Sequence, residues 1–226
     1  MYEYKFSEKH VRYMKEQIWQ IESIAKGDLA YYSRLSDSEY SIIKDYIEGD
    51  INTVMDLGCG LGRAGINIYH MLKKEPKMFF CDSDFTADKH GGSFLCKDGK
   101  VGDYNSIDMT EDFVKTNNVD SYNIINLGDE DPFSDLPKMD LIISMYSVGF
   151  HFRISSWFDK LSKVINEDTI LIFCLFDSKH FKLANKRSET DNVSAIIKQF
   201  SSSKIVTGLK KGFPQCDYLI LKGYKK

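Results

Sequence analysis

The stretch Thr53–Asn67, TVMDLGCGLGRAGIN, constrains the fold more than any other part of this 226-residue chain. It opens as a short apolar strand with an acid at Asp56, turns through Gly58, Gly60 and Gly62, and continues in a helical pattern. Glycines at that density admit positive φ and leave no Cβ between main chain and ligand. The helix that follows aims its unpaired N–H groups at whatever lies over the turn. This is a place for a nucleotide-like cofactor.

Composition narrows the partners. At 42% hydrophobic and 28% charged residues the chain can bury a full core as one globular domain with elaborations. A formal net charge of −3 provides no global basic field, so nucleic acid is not expected as a partner. The tail GYKK and the Lys210–Lys211 pair are small solubilising spots. Cys59, Cys81, Cys96, Cys174 and Cys216 are odd in number, widely spaced and free of CxxC pairs. That pattern argues against zinc and against a disulfide framework, and fits a reducing cytoplasm. MYEYKFSEKH is too polar for a signal peptide, and the longest apolar runs, such as Ile170–Phe176, fall short of a membrane span. The expectation is a cytoplasmic protein with no metal and no membrane contact. Its oligomeric state stays open.

Periodicity then gives the element order. Phe6–Lys26 reads as a helix capped by Ser7, with Val11, Met14, Ile18, Ile21 and Ile24 at helical spacing. A second helix is expected from near Ser36, where Glu39 completes a capping box, and is closed by Gly49–Asp50. Between them, LAYYSRLS is either tyrosine packing on a helix pair or a lid over the glycine turn. After the turn come a helix Arg63–Lys74, a strand Lys77–Cys81, an irregular excursion through Phe85–Tyr104 and a helix Ser106–Asn117. Strands Tyr122–Leu127 and Met139–Met145, a helix Ile154–Ile165 and a strong strand Thr169–Phe176 follow. Such alternation predicts a parallel sheet with helices on both faces. The end differs: after a helix Asn192–Phe200, strands Lys204–Thr207 and Tyr218–Leu221 leave no room for a crossover helix, so they should be antiparallel.

This order resembles the class I S-adenosylmethionine-dependent methyltransferases from Ile51 onward. VMDLGCGLG is similar to that family's first motif, CDSD to its ribose-binding acid, and GDEDPFSDLPKMDLIIS to its strand-three loop and fourth strand. The resemblance implies a Rossmann-like three-layer sandwich, residues 51–226, with a mostly parallel seven-stranded sheet and a C-terminal antiparallel hairpin. Residues 1–50 would form an N-terminal helical cap or lid. It implies S-adenosyl-L-methionine as cofactor, with S-adenosyl-L-homocysteine as product. The cofactor residues would be Asp56, Gly58, Cys59, Gly60, Gly62, Asp82, Ser83, Asp129, Glu130 and Ser144. Asp82 would accept from both ribose hydroxyls, with Asp84 as the competing acid; Asp129 and the Glu130 N–H would read adenine.

The chemistry at the end of the fourth strand is carried by SMYSVGFHFRISSW. Tyr146, His151 and Arg153 are its polar groups, and His151 is the candidate general base because its unperturbed pKa lies near operating pH. Tyr32, Arg34, His151 and Arg153 are the candidate acceptor-binding residues. An anionic acceptor would need only cationic clamps from Arg153, Arg34, Lys179 or His180. The segments YSVGFHFRISSWFDKL and YYSRLSDSEY resemble methyltransferases of bacterial surface-polysaccharide pathways, which implies a sugar or a phosphate or phosphoramidate group of a capsule precursor as acceptor. No NPPY-type run follows strand four, which argues against an amino-group methylase of DNA bases. Two alternatives stay open. Gly60 to Gly65 satisfies GxGxxG, so an NAD-dependent oxidoreductase is a rival reading. A catalytically inactive module that binds S-adenosylmethionine is the other.

Overall fold

The computed structural model describes residues 2–16, 26–84, 105–149, 152–176, 189–208 and 216–225. Expectations that rest on Phe150, His151, Lys179 and His180 concern residues outside that set, as does the excursion from Phe85 to Tyr104.

The central strands are apolar almost throughout because both sheet faces are covered there. Along β5 (Ile170–Phe176), Ile170, Ile172 and Cys174 enter one core while Leu171, Phe173 and Leu175 enter the other. β1 (Thr53–Leu57) divides likewise, Val54 to the first core and Met55 and Leu57 to the second. Fully burying one such aliphatic or aromatic side chain contributes about 1.5–3 kcal/mol, and a one-residue slip would send every side chain into the opposite core, where the packing does not match it.

Seven strands form one sheet in the order β3-β2-β1-β4-β5-β7-β6. The remaining strands are β2 (Lys77–Asp82), β3 (Tyr122–Asn126), β4 (Leu141–Ser144), β6 (Phe200–Thr207) and β7 (Cys216–Tyr224). Strands β1 to β5 pair in parallel, and β7 runs antiparallel to both β5 and β6. The expected Rossmann-like sheet with its antiparallel end is therefore present. The hairpin strands are longer than the sequence implied. β6 lies at the sheet edge with Ser201 to Ile205 exposed, so backbone pairing to β7 rather than burial makes it a strand, and hydrophobic pattern could not find its first half.

Among the described residues the α-helices are α1 (Glu8–Glu16), α2 (Ala30–Ile43), α3 (Arg63–Met71), α4 (Ile107–Thr116), α5 (Ile154–Leu161) and α6 (Glu189–Ile197). Residues of α1 to α4, such as Met14, Leu35, Ile66 and Phe113, pack in the first core. Phe158 and Leu161 of α5 and Ile196 of α6 pack in the second. This is the three-layer arrangement.

The first helix occupies only part of its expected span; residues 17–25 lie outside the described set, and Lys26 is in a turn. Its cap is reciprocal: Ser7 Oγ accepts from the His10 N–H at 3.3 Å, and His10 Nδ1 accepts from the Ser7 N–H at 3.1 Å. An imidazole thus fills the role a carboxylate has in a capping box. The second helix begins at Ala30, not near Ser36. Asp28 Oδ1 accepts from the Tyr31 N–H at 3.1 Å and starts the coil there, so LAYYSRLS supplies the helix's own opening turns. Ser36 then lies inside the helix, its hydroxyl donating back to the Tyr32 carbonyl at 3.0 Å. The helix also ends before Gly49, at Ile43, and passes into a 3-10 turn over Lys44–Tyr46.

Candidate functional site

The strand order reverses direction between β1 and β4, and an open α/β sheet binds ligands at the carboxyl ends of the strands where it does so. The glycine turn lies there. Gly58, Gly60 and Gly62 all have positive φ, at 70°, 55° and 84°. Gly58 is required twice over, because a Cβ on it would come within 1.8 Å of Ser147 Oγ in the segment after β4.

A turn of left-handed glycines has little rigidity of its own, and its neighbours hold it. The Gly58 and Cys59 N–H groups donate to the Cys81 carbonyl at 2.7 and 3.1 Å. The Gly60 N–H donates to Asp82 Oδ2 at 2.6 Å, and the Gly60 carbonyl accepts from Thr110 Oγ1 of α4 at 2.7 Å. Asp56, fully buried beneath the turn, accepts from the Gly65 N–H at 2.8 Å and so caps the first turn of α3 from below. Burial pushes the Asp56 carboxyl up to about 7, against the lowering pull of the Gly65 N–H and of Arg63. Asp82, 8% exposed, is likewise pushed up by burial, to about 6, and held back by the Gly60 and Ser83 N–H groups. Each Asp82 oxygen takes one backbone N–H, from Gly60 or Ser83, and keeps a further lone pair for a ligand hydroxyl.

The residue that sequence reading undervalued is Arg63. Its guanidinium is buried in a fork with Glu39 of α2, Nη1 to Oε2 at 2.5 Å and Nη2 to Oε1 at 3.0 Å, and Nη1 also donates to Ser36 Oγ at 2.8 Å. Burial alone would depress the guanidinium, but the Glu39 carboxylate overrides it and holds Arg63 firmly charged. The same guanidinium stands 5.8 Å from the Tyr32 ring centre and 6.0 Å from that of Tyr146. Tyr4 closes the group, its hydroxyl donating to the Arg63 carbonyl at 2.6 Å. One signal was available: Tyr32, Ser36, Glu39 and Ile43 share a helical face and all are buried, and an acid on a buried face implies a cation opposite.

The other expected residues divide. Tyr32 lies in this group, its phenol pushed up to about 12 by burial. Tyr146, just beyond β4, has a left-handed φ of 59° and brings its hydroxyl within 3.8 Å of Cys216 Sγ. A non-glycine residue in that region is uncommon and marks a strained position. Ser83 donates its N–H to Asp82, and Asp84 Oδ1 accepts from the Ile107 N–H at the start of α4. Ser144 is fully buried as a brace between strand ends: its hydroxyl donates to the Leu57 carbonyl at 2.7 Å and accepts from the Val148 N–H at 2.9 Å. Asp129 and Glu130 are exposed on the turn after β3, with the Asp129 N–H on the Asn126 carbonyl. Arg153 is exposed at the start of α5. Arg34 is not brought to the group; it lies on the outer face of α2 in an ion pair with Asp28 at 2.6 Å. Among the described residues no cluster of His, Cys, Asp and Glu could hold a metal ion, and no helix is long and apolar enough to cross a membrane.

Comparison with solved structures gives the fold its relatives. The plantazolicin methyltransferase BpumL, solved with S-adenosylhomocysteine, aligns over 94% of this chain and 95% of its own, with a TM-score of 0.56 and 12% identity. A Methanococcus maripaludis protein assigned to the S-adenosyl-L-methionine-dependent methyltransferases covers the whole chain, 98% of its own, at a TM-score of 0.55 and 14% identity. A methyltransferase of the same kind from Clostridium acetobutylicum aligns over 85% of this chain and 92% of its own, at 0.52 and 13%. No protein-family model matches the sequence, and comparison with curated proteins finds no match. The chain thus shares its fold with these methyltransferases.

Proposed function

We propose that the chain is an S-adenosylmethionine-dependent methyltransferase acting on oxygen of a small polar acceptor. The observation that carries this reading is Asp82, at the carboxyl end of β2 and hydrogen-bonded to Gly60 of the turn, with an oxygen lone pair on each side left for a ribose hydroxyl. The turn, the acid and the buried Asp56 form one connected unit suited to an adenosine with a charged amino-acid tail. Bound there, the cofactor would supply an electrophilic methyl group on a sulfonium.

For in-line displacement the protein's work is positioning and exclusion of water. Tyr32 and Tyr146 stand with their ring centres 5.8 and 6.0 Å from the Arg63 guanidinium, beside the residue that follows the turn. His151 would accept the acceptor's hydroxyl proton. Of the cations an anionic acceptor would need, Arg34 is paired with Asp28 on the outer face of α2, which favours a hydroxyl acceptor. A sugar or a phosphate or phosphoramidate group of a capsule precursor is the acceptor class that the sequence resemblance alone favours.

The NAD-dependent reading rested on Gly65 as the third glycine of GxGxxG. Gly65 does not separate the two readings: a Cβ on it would lie 2.6 Å from the Phe80 ring and 2.9 Å from Asp56 Oδ2, and close helix–strand packing is what the third glycine serves in the dinucleotide fingerprint as well. Calorimetric titration with S-adenosylhomocysteine and NADH tests the choice: micromolar binding of the first and none of the second is expected. The reverse result would sink the proposal.

A further inference from the structure

The N-terminal segment reaches the glycine turn through polar contacts that a simple cover would not need. Arg63 is the first residue of α3, one peptide from Gly62, and the N-terminal segment holds it at both ends. Tyr4 donates to its carbonyl at 2.6 Å, while Glu39 and Ser36 of α2 hold its guanidinium. The Tyr4 hydroxyl also lies 2.7 Å from Ser36 Oγ, so its one proton is shared between that oxygen and the Arg63 carbonyl, and Asn67, one turn further along α3, donates to the Ser36 carbonyl at 3.2 Å. The pair is nearly dry, with side-chain exposures of 9% for Arg63 and 3% for Glu39.

Burying an ion pair of this kind seldom stabilises a fold more than apolar packing would, while removing one partner is costly. Its use is then in geometry. A bidentate fork fixes the orientation of Arg63 as one hydrogen bond could not. Through Arg63 it fixes the peptide where left-handed glycine passes into helix, and the face that Arg63 presents to Tyr146.

We propose that Glu39 and Tyr4 are positioning residues for the cofactor turn, so that docking of the N-terminal segment and binding of the adenosyl cofactor are one coupled event. This rests on the methyltransferase reading of the turn. It assigns residues on the far side of α3 an influence on cofactor affinity without contact to the cofactor. By linkage, the influence is reciprocal: cofactor must tighten the N-terminal segment as much as that segment tightens cofactor binding.

The test uses the full chain and S-adenosylhomocysteine as probe, well below the unfolding temperature. Glu39→Gln should weaken binding about tenfold and Tyr4→Phe about threefold, a tenfold change being about 1.4 kcal/mol. In the wild type, saturation with the probe should slow amide exchange across Ala30–Ile43; in Glu39→Gln that response should shrink. Tyr4→Phe removes one hydroxyl and no charge, so it reports even if Glu39→Gln fails to fold. A merely structural role would lower the melting temperature of both variants while leaving affinity within twofold and the exchange response intact, and that result overturns the proposal. If the probe does not bind the wild type at all, the cofactor reading falls first and the coupling falls with it.

Discussion

Asp56 and Asp82 carry the sharpest consequences at the scale of single residues. Both carboxyls are raised from an ordinary value of 3.8, to about 7 and about 6, and burial is the larger cause in each. The folded state therefore keeps protons that the unfolded chain has released. Stability from this source is complete below the unfolded value and is lost as pH rises through the folded ones, at up to about 1.4 kcal/mol per pH unit for each proton. Urea unfolding midpoints should accordingly fall between about pH 4 and 7, and Asp56→Asn should flatten the upper part of that fall. Ligand binding should run the other way, because ribose hydroxyls donate best to an ionised Asp82. S-adenosylhomocysteine affinity should rise as pH increases through about 6, the folded value for Asp82, and Asp82→Asn should abolish that rise. Calorimetry at pH 5, 6 and 7 reads the slope. For the transfer step, His151→Ala should cut methyl transfer to a responding sugar acceptor by about 100-fold or more while leaving cofactor affinity within a few fold. Near wild-type turnover would return the acceptor to the anionic class.

At the scale of elements, the approach of α3 to β2 sets the depth of the site. Gly65 lets the helix descend onto the Phe80 ring, and its N–H meets Asp56 only because nothing stands between them. Gly65→Ala would raise helix propensity by about 1 kcal/mol, yet it would force a methyl against an aromatic ring and a hydrogen-bonded carboxylate, a strain of about 1–3 kcal/mol. The net expectation is a lower unfolding midpoint together with weaker S-adenosylhomocysteine binding, since the helix must lift from Asp56. A midpoint that rises would mean the helix has slack at this contact. The start of α2 carries the complementary lesson. Local pattern points to a cap at Ser36, whereas the structure starts the helix from Asp28. Asp28 prevails because the earlier start turns Tyr32, Leu35, Ser36 and Glu39 onto one buried face toward α3.

At the scale of the whole molecule, ligand and fold should stabilise one another, because the turn is held by β2, α4, Tyr4 and α2 together. A ligand at 100 times its Kd adds about 2.7 kcal/mol. For a domain of this size that corresponds to a rise in melting temperature of roughly 5–10 °C. A thermal-shift series with S-adenosylhomocysteine checks it, and NADH should produce no rise.

The parallel part of the sheet was legible, since alternation with helices and apolar runs such as Ile170–Phe176 report burial on two faces through local pattern alone. So was the glycine turn with Asp56 before it, because its backbone freedom is written in three closely spaced glycines. Asp82 was legible because one strand–helix–strand unit has a nearly fixed length. The edge strand β6 escaped in part, as its stability comes from pairing with β7 and leaves no hydrophobic signature. Arg63 and Glu39 are 24 residues apart, and Tyr4 is 59 from Arg63, so their meeting depends on how α2 crosses α3. The sequence by itself determined the fold class and the glycine turn, because those follow from local burial and backbone freedom. Only the tertiary structure decided what holds that turn in place, because a buried charge finds its partner through packing across the chain and not through spacing along it.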